Sequence, residues 1–222
     1  MRKFVPAYEG NLRKHALSVP RCISECSGIR VFGRRIKSLV FSTDVAIIKN
    51  INADAIIAVY PFTPQPAITQ AIIGVSEVPV FCGVGGGLTN GVRSASMAAY
   101  VEHQGAYGVV CNSKIGVETI HAIKDAVEIP VVYTVISENT DIQPYLTAGV
   151  DIINVSGAAR TPEIVGTLRQ RYPELPIIAT GGPTEESILA TIRAGANAIT
   201  YTPPSSAALF AKTMADNRSE LE

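Results

Sequence analysis

Lys114, Asp44 and Glu138 are the residues of this 222-residue chain whose types and positions suit covalent or proton-transfer chemistry. Each follows closely on a short apolar run. A lysine held there, once desolvated, has a lowered pKa and serves as a base or condenses with a carbonyl. The two carboxylates suit general acid or base work. Each has a plainer reading: Lys114 as an exposed loop lysine, Asp44 as the N-cap of a helix over 45–51, Glu138 as a solvated acid. Arg160 can pair with a substrate carboxylate or phosphate, or with an acidic neighbour. Gly181 and Gly182 form one turn before a helical run, and Thr202, Ser205 and Ser206 form another. Exposed N–H groups at a helix start favour an anion, although a glycine pair also serves simply as a tight turn. Asn112, Asn154 and Ser156 are polar strand-end residues able to hold the rest of a substrate. His103 and His121 fall inside helical stretches and His15 in a basic segment, so no histidine chemistry is expected. Cys22 and Cys26 lack a second ligand pair at zinc spacing. No metal and no cofactor are therefore expected. Cys82 and Cys111 sit in apolar runs and read as core.

The elements that must position these residues repeat along the chain. One strand type follows a proline: Val78-Pro79-Val80-Phe81, Ile129-Pro130-Val131-Val132, Leu175-Pro176-Ile177-Ile178. A second type follows a small-residue helix end: Ala53-Asp54-Ala55-Ile56-Ile57, Ala106-Tyr107-Gly108-Val109-Val110, Val150-Asp151-Ile152-Ile153, Ala196-Asn197-Ala198-Ile199. The types alternate, and Leu39-Val40-Phe41 takes the first slot without its proline. Strands are expected near 39–43, 55–61, 79–84, 107–111, 130–136, 151–155, 176–180 and 197–201. Helical stretches lie between them, such as 92–103, 117–127 and 162–171. Strands alternating with helices imply a parallel sheet, and eight equivalent units favour closure. The expected fold is a (β/α)8 TIM barrel over 38–222 with an N-terminal basic extension, 1–37. Within that extension Ile29 to Ile36 reads as a hairpin around Gly33. The alternative, an open sheet with Gly83 to Gly87 as a dinucleotide loop, lacks an acidic residue at the end of the next strand. Active sites of such barrels lie at the C-terminal strand ends, where the candidates above fall.

The stretch Leu175 to Ser206, with its Ala179-Thr180-Gly181-Gly182 turn, a helix ending Ala194-Gly195-Ala196 and a following strand, resembles the last two units of the phosphate-binding (β/α)8 barrels. That group includes thiamin phosphate synthase, N-acylmannosamine-6-phosphate 2-epimerase and the 2-keto-3-deoxy-6-phosphogluconate aldolases. The resemblance implies a substrate phosphate gripped by the loops after strands seven and eight. The eighth loop departs from the pattern: Pro203 and Pro204 have no N–H to give. The sixth strand, Asp151 to Val155, lacks the lysine that the related aldolases place there.

Hydrophobic residues make up 47% of the chain and its net charge is zero. Residues 1–37 carry nine Lys or Arg against Glu9 and Glu25, a net of +7, and the remainder carries −7. Aromatic residues are not interleaved with those charges, so no nucleic acid is expected. No apolar run reaches membrane-spanning length. The basic N-terminal stretch lacks the apolar core of a secretory signal, and four cysteines are too few for a disulfide framework. The expected location is the cytoplasm. The expected partners are a small phosphorylated metabolite and, through the charge asymmetry, further copies of the chain. Three functions compete: an isomerase, epimerase or carbon–carbon lyase moving protons through Lys114 with Asp44 or Glu138; a hydrolase using Asp44 or Glu138 to activate water; and a non-catalytic phosphometabolite sensor.

Overall fold

Alternation with period two runs through every strand of this chain, and it sorts side chains to the two sides of a closed wall. A computed structural model of the protein describes residues 4, 6–8, 10 and 17–219. A hairpin comes first, β1 (Ile29–Val31) against β2 (Arg34–Ile36). Its tight turn is Phe32-Gly33, both at positive φ, a two-residue geometry that matches strand twist. Eight strands follow: β3 (Ser38–Phe41), β4 (Ala55–Ala58), β5 (Val80–Gly85), β6 (Gly108–Cys111), β7 (Val131–Val135), β8 (Ile152–Val155), β9 (Ile177–Thr180) and β10 (Ala198–Tyr201). They pair in parallel, and β10 closes the ring on β3. The helices between them are α1 (Val45–Asn50), α2 (Pro66–Val75), α3 (Val92–His103), α4 (Val117–Lys124), α5 (Gln143–Thr147), α6 (Thr161–Arg171) and α7 (Glu185–Arg193), with α8 (Ser206–Ser219) last. The chain is thus a (β/α)8 barrel, as the repeat implied, with strand bounds close to those read from it.

Residues of one parity point inward: Leu39, Ala55, Ile57, Phe81, Val110, Val132, Ile152, Ile178 and Ala198 form a single interior cluster. Their neighbours of the other parity, such as Val40, Ile56, Cys82, Cys111 and Ile199, pack outward under the helices. The hairpin supplies Val31 and Ile36 to the interior cluster, at its lower end. Phe32 meets the Tyr107 ring edge-on at 5.6 Å, below the start of β6. The hairpin within the segment expected as an extension is therefore the barrel's floor.

The segment before the hairpin also has a structural task. The Leu17 N–H donates to the Asn50 carbonyl at 3.0 Å, and the Val19 N–H to Asn52 Oδ1 at 2.8 Å. The 3-10 turn Arg21–Glu25 rests on α7 and buries Cys22 and Ile23. This segment fills the gap between α1 and α7, where an eighth helix would close the outer ring. Accordingly α8 buries none of its residues, and Phe210 is 73% exposed. Among the described residues Arg30, Arg35 and Lys37 donate to the carbonyls of Gly33, Ser27 and Ser24. Arg34 lies over the Tyr107 ring. The described cations of this segment form no ion pair with the described acidic residues.

The repeat has a physical cause beyond hydrophobicity. Asp54, Asp151 and Asn197 stand at the same place, just before β4, β8 and β10. Asp54 Oδ2 accepts the Lys37 and Ser38 N–H groups at 2.9 and 3.0 Å. Asp151 Oδ2 accepts the Val131 N–H at 2.9 Å, and Asn197 Oδ1 accepts the Ile177 N–H at 2.9 Å. Each takes the N–H at the start of the preceding strand, which has no donor slot in the ladder there, and so pins register. Asp54→Ala should leave two strand-start N–H groups without their acceptor and cost about 1–3 kcal/mol in denaturant unfolding. Asp54→Asn, which keeps an acceptor, should lose less. An unchanged midpoint in the alanine variant would contradict the role.

Candidate active site

The inward parity continues above the packed interior, and there the residue types change. Thr134, Asn154, Thr180 and Thr200 lie two places beyond Val132, Ile152, Ile178 and Ala198. They line a cavity of about 540 Å3 at the C-terminal mouth of the barrel, with Ser156, Thr202 and Asn112. On the other side of the mouth stand Phe41 and Ile57 from β3 and β4, with Val59, Phe62 and Leu88 from the loops after β4 and β5. Gly83 and Gly85 hollow the β5 wall. Lys114 is the one charged side chain in the lining among the described residues.

The loop carrying Lys114 is built tightly. Asn112 Oδ1 accepts the Lys114 N–H at 3.3 Å and the Ser113 hydroxyl at 3.2 Å. The Asn112 N–H donates to the Gly85 carbonyl at 2.9 Å. Gly86, at φ +105°, lies so close that a Cβ there would stand 2.8 Å from the Asn112 carbonyl oxygen. From the outer side, the Tyr133 hydroxyl donates to the Ser113 carbonyl at 3.2 Å and the Tyr145 hydroxyl to the Ile115 carbonyl at 3.1 Å. These carbonyls flank Lys114, and the two rings stack at 4.0 Å and 10°. Burial raises the Tyr133 phenol well above its ordinary pKa, so it stays a neutral donor. The Lys114 amine has no ion-pair partner among the described residues.

The carboxylates lie elsewhere. Asp44 caps α1: its Oδ1 accepts the Ala46 and Ile47 N–H groups at 2.9 and 3.3 Å. Its Oδ2 accepts the Ser206 N–H at 3.3 Å, at the start of α8. The Ser206 hydroxyl, with the backbone donors of Ile47, Ala46 and Ser206, holds the carboxyl below its usual range. Glu138 Oε1 pairs with Arg160, which also reaches Glu163. The Glu138 backbone N–H and then Arg160 lower its pKa, while its Oε2 is buried without a partner among the described residues. Neither carboxylate and not Arg160 lines the cavity. The plainer reading of Asp44 and the acidic-neighbour reading of Arg160 describe what these side chains do. Burial pushes the Cys82 and Cys111 thiols up to about 12, which removes them as nucleophiles.

The two turns expected to grip phosphate spend most of their donors internally. The Gly181 N–H donates to the Thr200 carbonyl at 3.2 Å. At α7, Thr184 and Ser187 form a reciprocal cap. At α8, Asp44 takes the Ser206 N–H and the Ser205 hydroxyl takes the Ala208 N–H at 3.1 Å. Gly181, Gly182, Ser205 and Ser206 are outside the cavity lining, whereas Thr202, Ser156, Asn154, Asn112 and Lys114 are in it. Asn154 Oδ1 and Thr200 Oγ1 are buried there without a partner among the described residues. Thr134, Thr180 and Thr200 were absent from the candidates read in the sequence. Carrying the inward parity two residues past each apolar strand core would have found them.

No protein-family profile matches the chain, and no curated protein matches it. Solved structures do. Phosphonopyruvate hydrolase, in complex with oxalate and Mg++, superposes with a TM-score of 0.63 at 16% identity, over 88% of this chain and 83% of that one. The lyase of 2,3-dimethylmalate, a PEP mutase/isocitrate lyase superfamily member, gives 0.62 at 14%, over 90% and 83%. Mandelate oxidase with 3,3-difluoro-2-hydroxy-3-phenylpropionic acid gives 0.60 at 14%, over 80% and 68%. A hydrolase, a lyase and an oxidase at such similar scores share the barrel and no single chemistry.

Two outcomes test the site's construction. Tyr133→Phe, which removes one of the two hydroxyl braces, should cost about 1 kcal/mol of stability, and hydrogen exchange at 113–115 should quicken. Unchanged exchange would count against the brace. Because the Asp44 pKa is depressed in the folded chain, its contribution is complete above the ordinary carboxylate pKa and is lost as pH falls through the folded value. Asp44→Asn should therefore unfold with a flatter pH dependence below about pH 4; an acid limb identical to the parent's would refute this linkage.

Proposed function

We propose that this chain is an enzyme acting on a small anionic, phosphorylated carbonyl compound, as a carbon–carbon lyase or isomerase that works through Lys114. The observation that carries this reading is the charge arrangement of the cavity: one amine, on a braced loop, with no carboxylate in the lining. An amine so placed attracts an anionic substrate and can add to its carbonyl carbon. Loss of water leaves an iminium, which takes up the electron pair of an adjacent C–H or C–C bond to give an enamine, the released proton passing to water at the open mouth or the cleaved fragment leaving as a carbonyl compound. That chemistry does not need Asp44 or Glu138 at the substrate, and the hydrolase reading, which does, is the less favoured.

The phosphate implied by the resemblance to phosphate-binding barrels has donors left to it: the hydroxyls of Ser156, Thr180, Thr200 and Thr202 in the lining. β6, which leads to Lys114, is four strands from β10 in the ring of eight, diametrically across the mouth. A phosphate at β9 and β10 would thus place the substrate's other end toward Lys114. The Mg++ of the phosphonopyruvate hydrolase structure has no matching ligand set among the described lining residues. The lining holds no carboxylate, and among the described residues no three His, Cys, Asp or Glu gather to hold a metal.

Borohydride reduction in the presence of keto phosphates and keto acids tests the reading, with the modified peptide identified by mass. The expected adduct is on Lys114. Lys114→Met should lower turnover on the order of a thousandfold or more while leaving inorganic phosphate binding nearly intact. Parent-level turnover in that variant would exclude the mechanism. Saturable binding without turnover in the parent would establish the sensor instead.

A further inference from the structure

The cavity is divided by strand, and the division bears on what it accepts. The β7–β10 side offers hydroxyls and the Asn154 amide. The β3–β5 side offers mostly hydrocarbon: Phe41, Ile57, Val59, Phe62 and Leu88, with the hydroxyls of Tyr60, which accepts the Gln65 N–H at 2.8 Å, Thr63 and Thr89 among them. Three of these are open to solvent, Phe41 at 41%, Phe62 at 71% and Leu88 at 92%. Single apolar residues on a surface are ordinary, but three around the mouth of one cavity form a patch that calls for a cover. A polyhydroxylated sugar would turn most of its hydroxyls on this side toward hydrocarbon, where they find no partner.

We infer that the substrate is an acid with an apolar tail: an anionic head, carboxylate or phosphate, held at the hydroxyls of the β7–β10 side with its carbonyl toward Lys114, and an aromatic or branched-alkyl group seated on Phe41, Phe62 and Leu88. The inference rests on the proposed reading for the role of Lys114. Charge complementarity fixes the head, since the lining has one cation and no anion. The buried Asn154 Oδ1, an acceptor without a donor among the described residues, fits a hydroxyl on the carbon next to the head. A volume of about 540 Å3 leaves room for a ring beside the head, within the ordinary size of ligand pockets.

Calorimetric titration of the full chain with two probe pairs tests this: phenylpyruvate against pyruvate, and phenyl phosphate against inorganic phosphate. At least one phenyl compound should bind tenfold or more tightly than its small counterpart, the gain expected for burying a ring. The pair that shows the gain identifies the head as carboxylate or phosphate. The Phe62→Ser/Leu88→Ser double variant should bring that ratio to about twofold or less, with the small probe's affinity unchanged; both side chains are exposed, so their removal opens no core cavity. Ratios near one in both pairs, no binding of either phenyl compound at millimolar concentration, or a preference that survives the double variant would overturn the inference. So would light scattering that shows a dimer dissolved by the double variant, because a second copy would then be the cover. Lys114→Met separates the two proposals. If the phenyl preference persists there and phenylpyruvate binds as tightly as to the parent, the apolar seat stands and the role of Lys114 falls.

Discussion

Everything functional in this protein depends on the inward column of side chains in a closed parallel wall. Eight strands turn alternate residues to the axis, and the axis must be filled or sealed. Its lower levels are filled by Leu39, Phe81, Val110, Val132, Ile152 and Ile178 and closed from below by Val31 and Ile36 of the hairpin. With the floor plugged, space remains only at the upper end, where the same inward positions become Thr134, Asn154, Thr180 and Thr200. The chemistry of the mouth follows from that change of residue type at constant parity.

The acidic residues nearest the strands are mostly spent on backbone. Asp54 and Asp151 take strand-start N–H groups, and Asp44 ties the starts of α1 and α8 together. Glu138 is held by Arg160. A carboxylate that accepts several backbone donors is a strong local organiser and is poorly free to move a proton. The consequence is a mouth lined, among the described residues, by Lys114 and no carboxylate. An electrophilic or covalent role for Lys114 suits such a site better than an acid–base pair does. The Tyr133–Tyr145 stack under the loop shows how rigidity is delivered to that lysine from the helix layer rather than from the cavity.

The fold is shared with proteins of different chemistry, at identities of 14 to 16%. What such a wall requires is apolar β-branched residues outward, close packing inward and small residues at helix ends, and many sequences satisfy those demands.

The sequence by itself determined the wall. Proline before one strand type and a small-residue helix end before the other repeat with the βαβα unit, and local hydrophobic pattern is enough to read them because strand and helix formation are local choices. It also determined that Lys114, Asn112, Asn154, Ser156 and Thr202 stand at strand ends, hence at the mouth. Only the tertiary structure decided which of the candidates meet. Asp44 and Ser206 are 162 residues apart, and their hydrogen bond, which ties one candidate carboxylate to one candidate turn donor, exists only because the barrel closes β10 onto β3. In the same way, that residues 17–36 would serve as floor and outer wall, leaving α8 unpacked, depended on contacts between the ends of the barrel. No residue's own neighbours in sequence could announce it, since such long-range contacts form only once the ring is shut.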